Sequence, residues 1–275
     1  MTFSVHKHLG FTLIELAVVL LIVGALFAGI IVPFTTQIEL RRVSETQKTL
    51  DEIREALIGF AAAHGRLPCP AAPGATGVES KVPSGVDTDK RGNCTNFWDG
   101  FVPGTTLGIG PIDANGYVLD AWNNRIHYAV ANVDRSPAGS LLANNDKDFT
   151  GEGSITGSNS EMRNVGMATL APDLKVCSTA TGMTTTACAA NRSLVDTAVA
   201  VIYSTGPNGA HPDTSGTRVD ENANPNPNAT APADKVFVSH ERAGAGAPNG
   251  EFDDMVIWLS PNILYAKMIA AGRLP

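Results

Sequence analysis

Leu9-Gly10-Phe11-Thr12-Leu13-Ile14-Glu15-Leu16-Ala17-Val18-Val19-Leu20-Leu21 is the stretch on which the reading of this chain turns. It opens an apolar run, 11–32, in which Glu15 is the one acidic residue. About 22 residues at ~1.5 Å each make roughly 33 Å of helix, enough to cross a bilayer core. A carboxylate inside such a segment costs roughly 2.5–3.5 kcal/mol on insertion scales and by default marks function. The leader before the run is short, and His6, Lys7 and His8 are its basic part. They favour a cytoplasmic start and a far-side C-terminus, although Arg41 and Arg42 follow soon after the span. An ordinary secretory signal places its small-residue cleavage site after the apolar core. Here Gly10 comes before it, so a cut that removes the leader leaves the apolar helix on the mature protein.

The segment 9–16 resembles the prepilin motif of type IV pilins and type II secretion pseudopilins. It shares the basic leader, the Gly-Phe junction, an acidic residue fifth after the cut, and the apolar helix. The resemblance implies that prepilin peptidase cuts between Gly10 and Phe11 and N-methylates Phe11, with 1–10 as the leader removed. It further implies other pilin or pseudopilin subunits and an inner-membrane assembly platform as partners. Inner-membrane lipid surrounds 11–32, and the head is periplasmic until it enters the pilus or pseudopilus. Cleavage would leave a cationic amine on Phe11 inside an apolar layer, where an unpaired charge is expensive. Glu15 lies four residues on and can reach that amine on its own helix or on a neighbouring subunit, which gives it the role of subunit assembly. A plain single-pass anchor with a stray Glu would leave Gly10-Phe11 a coincidence.

Beyond the run, 35–64 is rich in Glu, Arg, Lys, Gln, Leu and Ala, all good helix formers. Ile38, Val43, Leu50, Ile53, Leu57, Phe60 and Ala61 recur at mostly three- or four-residue steps, an amphipathic stripe expected to pack under the head. Gly65 and Pro68 supply the stop. The reading is one helix over 11–64, transmembrane over 11–32 and kinked near Pro33. Residues 65–275 form a globular β-rich head, since Gly, Pro, Asn, Thr and Ser abound there and helix-length periodicity is scarce. Strands are expected at 117–119, 125–130, 198–203 and 255–259, with 198–203 central, and a short terminal helix at 264–271. The Asn-Pro-rich segment 208–234 reads as an exposed loop. The fold class is α+β and pilin-like: a long N-terminal helix on an antiparallel sheet with long loops.

Three head segments are similar, in order, to motifs of the major pseudopilin. They are Leu119-Asp120-Ala121-Trp122-Asn123-Asn124-Arg125-Ile126-His127-Tyr128, Ile202-Tyr203-Ser204-Thr205-Gly206-Pro207-Asn208-Gly209, and Asp253-Asp254-Met255-Val256-Ile257-Trp258. The insertions between them make a large minor member the better match. In that relative a calcium ion sits between the second and third motifs, which nominates Asn208, Asp253 and Asp254 as Ca2+ ligands. Asn208 stands where the family carries Asp, one charge fewer. Oxygen donors of this kind suit calcium. Asp87-x-Asp89-x-x-Gly92 fails as an EF-hand start because Arg91 occupies a ligand position.

Four cysteines, Cys69, Cys94, Cys177 and Cys188, suggest disulfides in an exported head. Three pairings are possible; Cys69–Cys94 and Cys177–Cys188 close modest loops and are favoured. No CxxC supports zinc. No Gly-x-Ser-x-Gly, P-loop or HExxH is present, and His240-Glu241 reads as an isolated surface pair. The net charge of -7, with no basic cluster in the head, argues against nucleic acid. The expectation is a non-enzymatic filament subunit. The rival is a membrane-anchored periplasmic binding or enzymatic domain.

Overall fold

The computed structural model describes residues 12–74, 76–82, 93–134, 147–151, 161–209, 218–224 and 235–274, with the side chains of 26–35, 161 and 164 outside that set. The chain divides into two compact units, Met1–Ser44 and Glu45–Pro275. A single helix, α1 (Leu13–His64), contributes to both. In the first unit its apolar side chains face outward, Leu13, Ile14 and Leu21 being each more than seven-tenths exposed. Among the described residues no helix is long and apolar enough to cross a membrane.

In the second unit the stripe does its packing. Leu50, Ile53, Leu57 and Ala61 are fully buried, and Thr46 continues the same face. Burial of one such Leu or Ile stabilises by about 1.5–3 kcal/mol. Phe60 sits at the edge of the stripe, half-buried, stacked on His64 with ring centroids 4.0 Å apart. Gly65 ends the helix in a left-handed conformation (φ 78°), its N–H donating to the Ala61 carbonyl at 2.7 Å. Arg273 reaches back from the other end of the chain. Its Nε donates to the Ala62 carbonyl at 3.0 Å and its Nη2 to that of Ala63. A cation on the last carbonyls of a helix satisfies orphan acceptors and opposes the negative end of the dipole.

The head carries two sheets. The first has the order β1 (Gly100–Phe101), β2 (His127–Val130), β5 (Ala200–Ser204), β7 (Met255–Leu259), all antiparallel. The second has the order β4 (Ser193–Ala198), β3 (Leu174–Cys177), β6 (Val236–Val238). There β3–β4 is antiparallel and β3–β6 parallel, a departure from a purely antiparallel head. Short helices α2 (Gly104–Leu107) and α3 (Glu161–Val165) lie in the connections. The last helix, α4 (Pro261–Ala270), starts with Pro at its first turn, where the missing N–H costs nothing, and buries Leu264 and Met268.

The expected strand at 198–203 is two strands. The chain leaves β4 at Ala198, passes Val199, and enters β5 in the other sheet. Every β5 residue is buried, which accounts for the unbroken apolar run, and β5 is central between β2 and β7. Residues 117–119 form only isolated bridges, Ile112 with Val118 and Leu119 with Arg125, instead of a strand. The described part of the 208–234 segment is not a solvated loop. Asp220, Glu221 and Asn224 are each at least nineteen-twentieths buried, around a 3-10 turn at Glu221–Ala223. Polar residues can go inside because each has partners there. Asn224 Nδ2 donates to the Val238 carbonyl at 2.9 Å, and its Oδ1 accepts from the Val238 N–H at 2.7 Å.

All four cysteines are paired, Cys69–Cys94 and Cys177–Cys188. Their sequence separations, 25 and 11, correspond to about 2–4 kcal/mol of loop-closure stabilisation each. Beside the first, Arg66 and Glu79 form a two-pronged ion pair with both contacts at 2.8 Å, nearly out of solvent. Burial raises the Glu79 carboxyl, but the Arg66 hydrogen bond and charge, the Cys69 N–H and Lys81 reverse this and leave it lowered. This pair anchors the chain where it leaves α1.

Candidate functional site

Two places gather functional chemistry. The first is the start of α1. Gly10 and Phe11 lie outside the described residues, and Glu15 is within them. Its carboxylate accepts the Thr12 N–H at 2.9 Å and the Thr12 hydroxyl at 2.8 Å; in return the Glu15 N–H donates to Thr12 Oγ1 at 3.3 Å. This reciprocal arrangement is a capping box, with Thr12 at the cap and Glu15 three residues on. It satisfies orphan N–H groups of the first turn and places a negative charge at the positive end of the dipole. All three bonds use Oε2 or the backbone. The Thr12-x-x-Glu15 pattern is the sequence signal for this cap.

The second place is an acidic cluster in the head, to which all three quoted motifs contribute. Asp120 accepts from the Trp122 and Asn124 N–H groups at 2.9 and 2.8 Å and from the Ser204 hydroxyl at 2.6 Å. Asn124 Nδ2 donates to the Gly206 carbonyl at 2.6 Å. Gly206 is left-handed (φ 64°), and a Cβ there would meet Asp253 Oδ1 at 2.5 Å and the Asp253 carbonyl at 2.7 Å. Only glycine lets the turn after β5 press this closely on the entry to β7.

Behind that turn, one carboxylate oxygen from each of Glu221, Asp253 and Asp254 lies within 4.8 Å of the others, and all three residues are buried. Asn208 Nδ2 donates to Glu221 Oε1. Asn224 Nδ2 donates to Asp254 Oδ2 at 2.8 Å. Asp253 Oδ1 and Asn208 Oδ1 are buried acceptors with no hydrogen-bond partner among the described residues. Burial first, then the Glu221 charge, push the Asp253 carboxyl up to about 7. Asp254 is driven upward by burial, against its bond from Asn224, with Glu221 and Asp253 adding to the rise. Carboxylates this close hold protons or a cation; they do not share the space as free anions. The donors are oxygen only, from three carboxylates and an amide, which fits a hard divalent cation such as calcium.

The structure thus brings Asn208, Asp253 and Asp254 together and adds Glu221, which the sequence reading passed over inside the supposed loop. The acidic pair Asp220-Glu221, just ahead of the Asn- and Pro-rich run 222–228, was its only signal. The two neighbours point to different work. Asp220 accepts from the Thr179 hydroxyl at 2.9 Å, the Ala180 N–H at 2.5 Å and Asn249 Nδ2 at 2.8 Å. His240 is therefore not an isolated surface residue: its Nε2 lies 3.3 Å from Asp220 Oδ2, and its ring stacks on Phe252 at 3.9 Å. The Thr179 hydroxyl is committed to a carboxylate rather than to an imidazole, so this contact ties loops together.

Residues 5–31 match the family model described as the prokaryotic N-terminal methylation motif. No curated protein and no solved structure matches the chain. Through residues 5–31, then, this chain carries a prokaryotic N-terminal methylation motif.

Proposed function

We propose that the protein is a non-enzymatic structural subunit of a type IV pilus or type II secretion pseudopilus. Prepilin peptidase removes 1–10 between Gly10 and Phe11 and methylates the new Phe11 terminus. The mature chain is held in the inner membrane through 11–32, with 65–275 as its periplasmic head. An assembly platform then moves it into the filament. The observation that carries this reading is the motif match over 5–31. The Thr12–Glu15 capping box supports it. Its cap residue, Thr12, directly follows the expected terminus at Phe11 in sequence, and Glu15 Oε1 stays outside the three bonds. An amine on Phe11, of the same subunit or of its neighbour, is the natural partner for that charge.

Within the head, the Glu221–Asp253–Asp254 cluster with Asn208 is proposed to hold a calcium ion. A bound cation would neutralise the buried carboxylates and tie the turn at 206–209, the buried turn at 221–224 and the start of β7 to one centre. Its part is structural, fixing the loops that the filament surface presents.

N-terminal sequencing and intact-mass measurement of the protein from mechanically sheared filaments test the reading. A chain that begins with N-methylated Phe11 and co-purifies with the filament is the expected result. An intact Met1 terminus on a protein that stays in the membrane fraction would refute it.

A further inference from the structure

Asparagine precedes glycine three times in this chain, at Asn115-Gly116, Asn208-Gly209 and Asn249-Gly250. In each pair the glycine has no side chain to keep its backbone nitrogen away from the preceding amide carbon. The fold treats the three pairs differently. Gly116 N–H donates to the Asp113 carbonyl at 2.9 Å, and Gly250 N–H to the Ala247 carbonyl at 3.0 Å, both ordinary hydrogen bonds. Gly209 N–H reaches the Gly206 carbonyl only at 3.4 Å, beyond the usual range, so its nitrogen is the least restrained of the three. The Asn249 side chain is also tied down, its Nδ2 donating to Thr179 Oγ1 at 2.9 Å and to Asp220 Oδ2 at 2.8 Å. Asn208 is held at one end: Nδ2 donates to Glu221 Oε1, while Oδ1 is buried with no hydrogen-bond partner among the described residues. Asn208 and Gly209 are half-buried, so solvent reaches the pair.

We propose that Asn208 is a self-modification site, which deamidates after folding and becomes a fourth carboxylate of the buried cluster. The Gly209 nitrogen attacks Asn208 Cγ and forms a C–N bond. The Cγ–Nδ2 bond breaks, and the Gly209 proton leaves with Nδ2 as ammonia. Water then opens the resulting succinimide, giving aspartate, or isoaspartate where it attacks the other carbonyl; nothing is oxidised or reduced. In the aspartate product an oxygen replaces Nδ2 beside Glu221, so a donor–acceptor contact becomes carboxylate against carboxylate. Without a cation this adds repulsion, and with one it adds ligand charge, which tightens calcium binding. The gain in affinity rests on the calcium reading above; the deamidation itself does not.

The test uses the full-length chain in detergent with chelator, aged at mildly alkaline pH and sampled by peptide mass spectrometry for replacement of NH2 by OH. Asn208 is expected to convert about fivefold faster than Asn115 and Asn249, the factor by which a backbone hydrogen bond on the attacking nitrogen slows its rivals. In urea the three rates should converge, because all three asparagines precede glycine. Asn208→Gln, which would have to close a larger ring, should stay unmodified. Titration calorimetry with calcium should show the aged protein and Asn208→Asp binding about tenfold more tightly than fresh protein. Folded protein in which Asn115 or Asn249 converts as fast as Asn208, or a ranking that survives urea, would overturn the proposal. Equal affinity in fresh protein and Asn208→Asp would overturn the fourth-ligand role. If Asn208 converts first and no form binds calcium, the calcium reading fails and the modification site stands.

Discussion

The acidic cluster gives the sharpest test, through Asp253→Asn measured without divalent cations. In the folded head the Asp253 carboxyl is raised from 3.8 to about 7. A group whose folded value lies above its unfolded one stabilises fully below the unfolded value, and that stability is lost as pH rises through the folded value. About three pH units at ~1.4 kcal/mol each set a ceiling of about 4 kcal/mol. The wild type alone is a poor readout, because His127 acts in the opposite sense. Burial lowers His127 to about 4, so its contribution rises with pH over part of the same window. Subtracting one protein from the other cancels that background. With chelator present, the variant and the wild type should unfold at similar temperatures near pH 4. By pH 8 the variant should be the more stable, by up to about 4 kcal/mol, or roughly 8–16 °C for a domain of this size. Calcium at pH 8 should then raise the wild type and leave the variant nearly unmoved, since it lacks one ligand charge. Differential scanning calorimetry of the full chain in detergent reads all of these. A variant that is no more stable than the wild type at pH 8 in chelator would refute the electrostatic reasoning. A wild type indifferent to calcium would refute the cation site.

Other outcomes follow from the same structure. Leu57→Ala removes a fully buried side chain from the α1 stripe; a loss of about 2–5 kcal/mol is expected by thermal or denaturant unfolding. Glu79→Gln strands the buried Arg66 charge and should cost about 3–5 kcal/mol. Because Glu79 is lowered in the fold, its stability is present above the ordinary carboxylate range and is lost as pH falls. The variant should therefore lose part of the wild type's destabilisation below about pH 4, seen in acid titrations followed by circular dichroism. Thr12→Ala removes the cap at the start of α1 and should cost about 1 kcal/mol of local helix stability. Faster amide exchange at Leu13, Ile14 and Glu15 in micelles, with the head unchanged, is the expected signature. Gly206→Ala should destabilise the head and weaken any calcium response together, since its Cβ would collide with Asp253; an unaffected response would separate the turn from the cluster.

Local chemistry wrote much of this protein into its sequence. The apolar run with Glu15 set among Gly10, Phe11 and Thr12 needs no folded head to be read, because its neighbours along one helix are its neighbours in space. The Leu50-Ile53-Leu57-Ala61 stripe, the Gly65 stop and β7 are legible for the same reason: period and propensity act within a few residues. Legibility ended where partners lie far apart in the chain. The run at 198–203 looks like one strand because burial on both faces erases periodicity, and only pairing with β3 on one side and with β2 and β7 on the other splits it at Val199. Glu221 and Asn224 looked solvated because polar residues among Asn and Pro usually are. The burial of Asn224 depends on Val238 and Asp254, which arrive 14 and 30 residues later. The sequence by itself thus determined how the chain begins and what chemistry its N-terminus carries. The tertiary structure alone decided that three carboxylates share one buried space, because their repulsion, and whatever relieves it, exists only once the strands have brought them together.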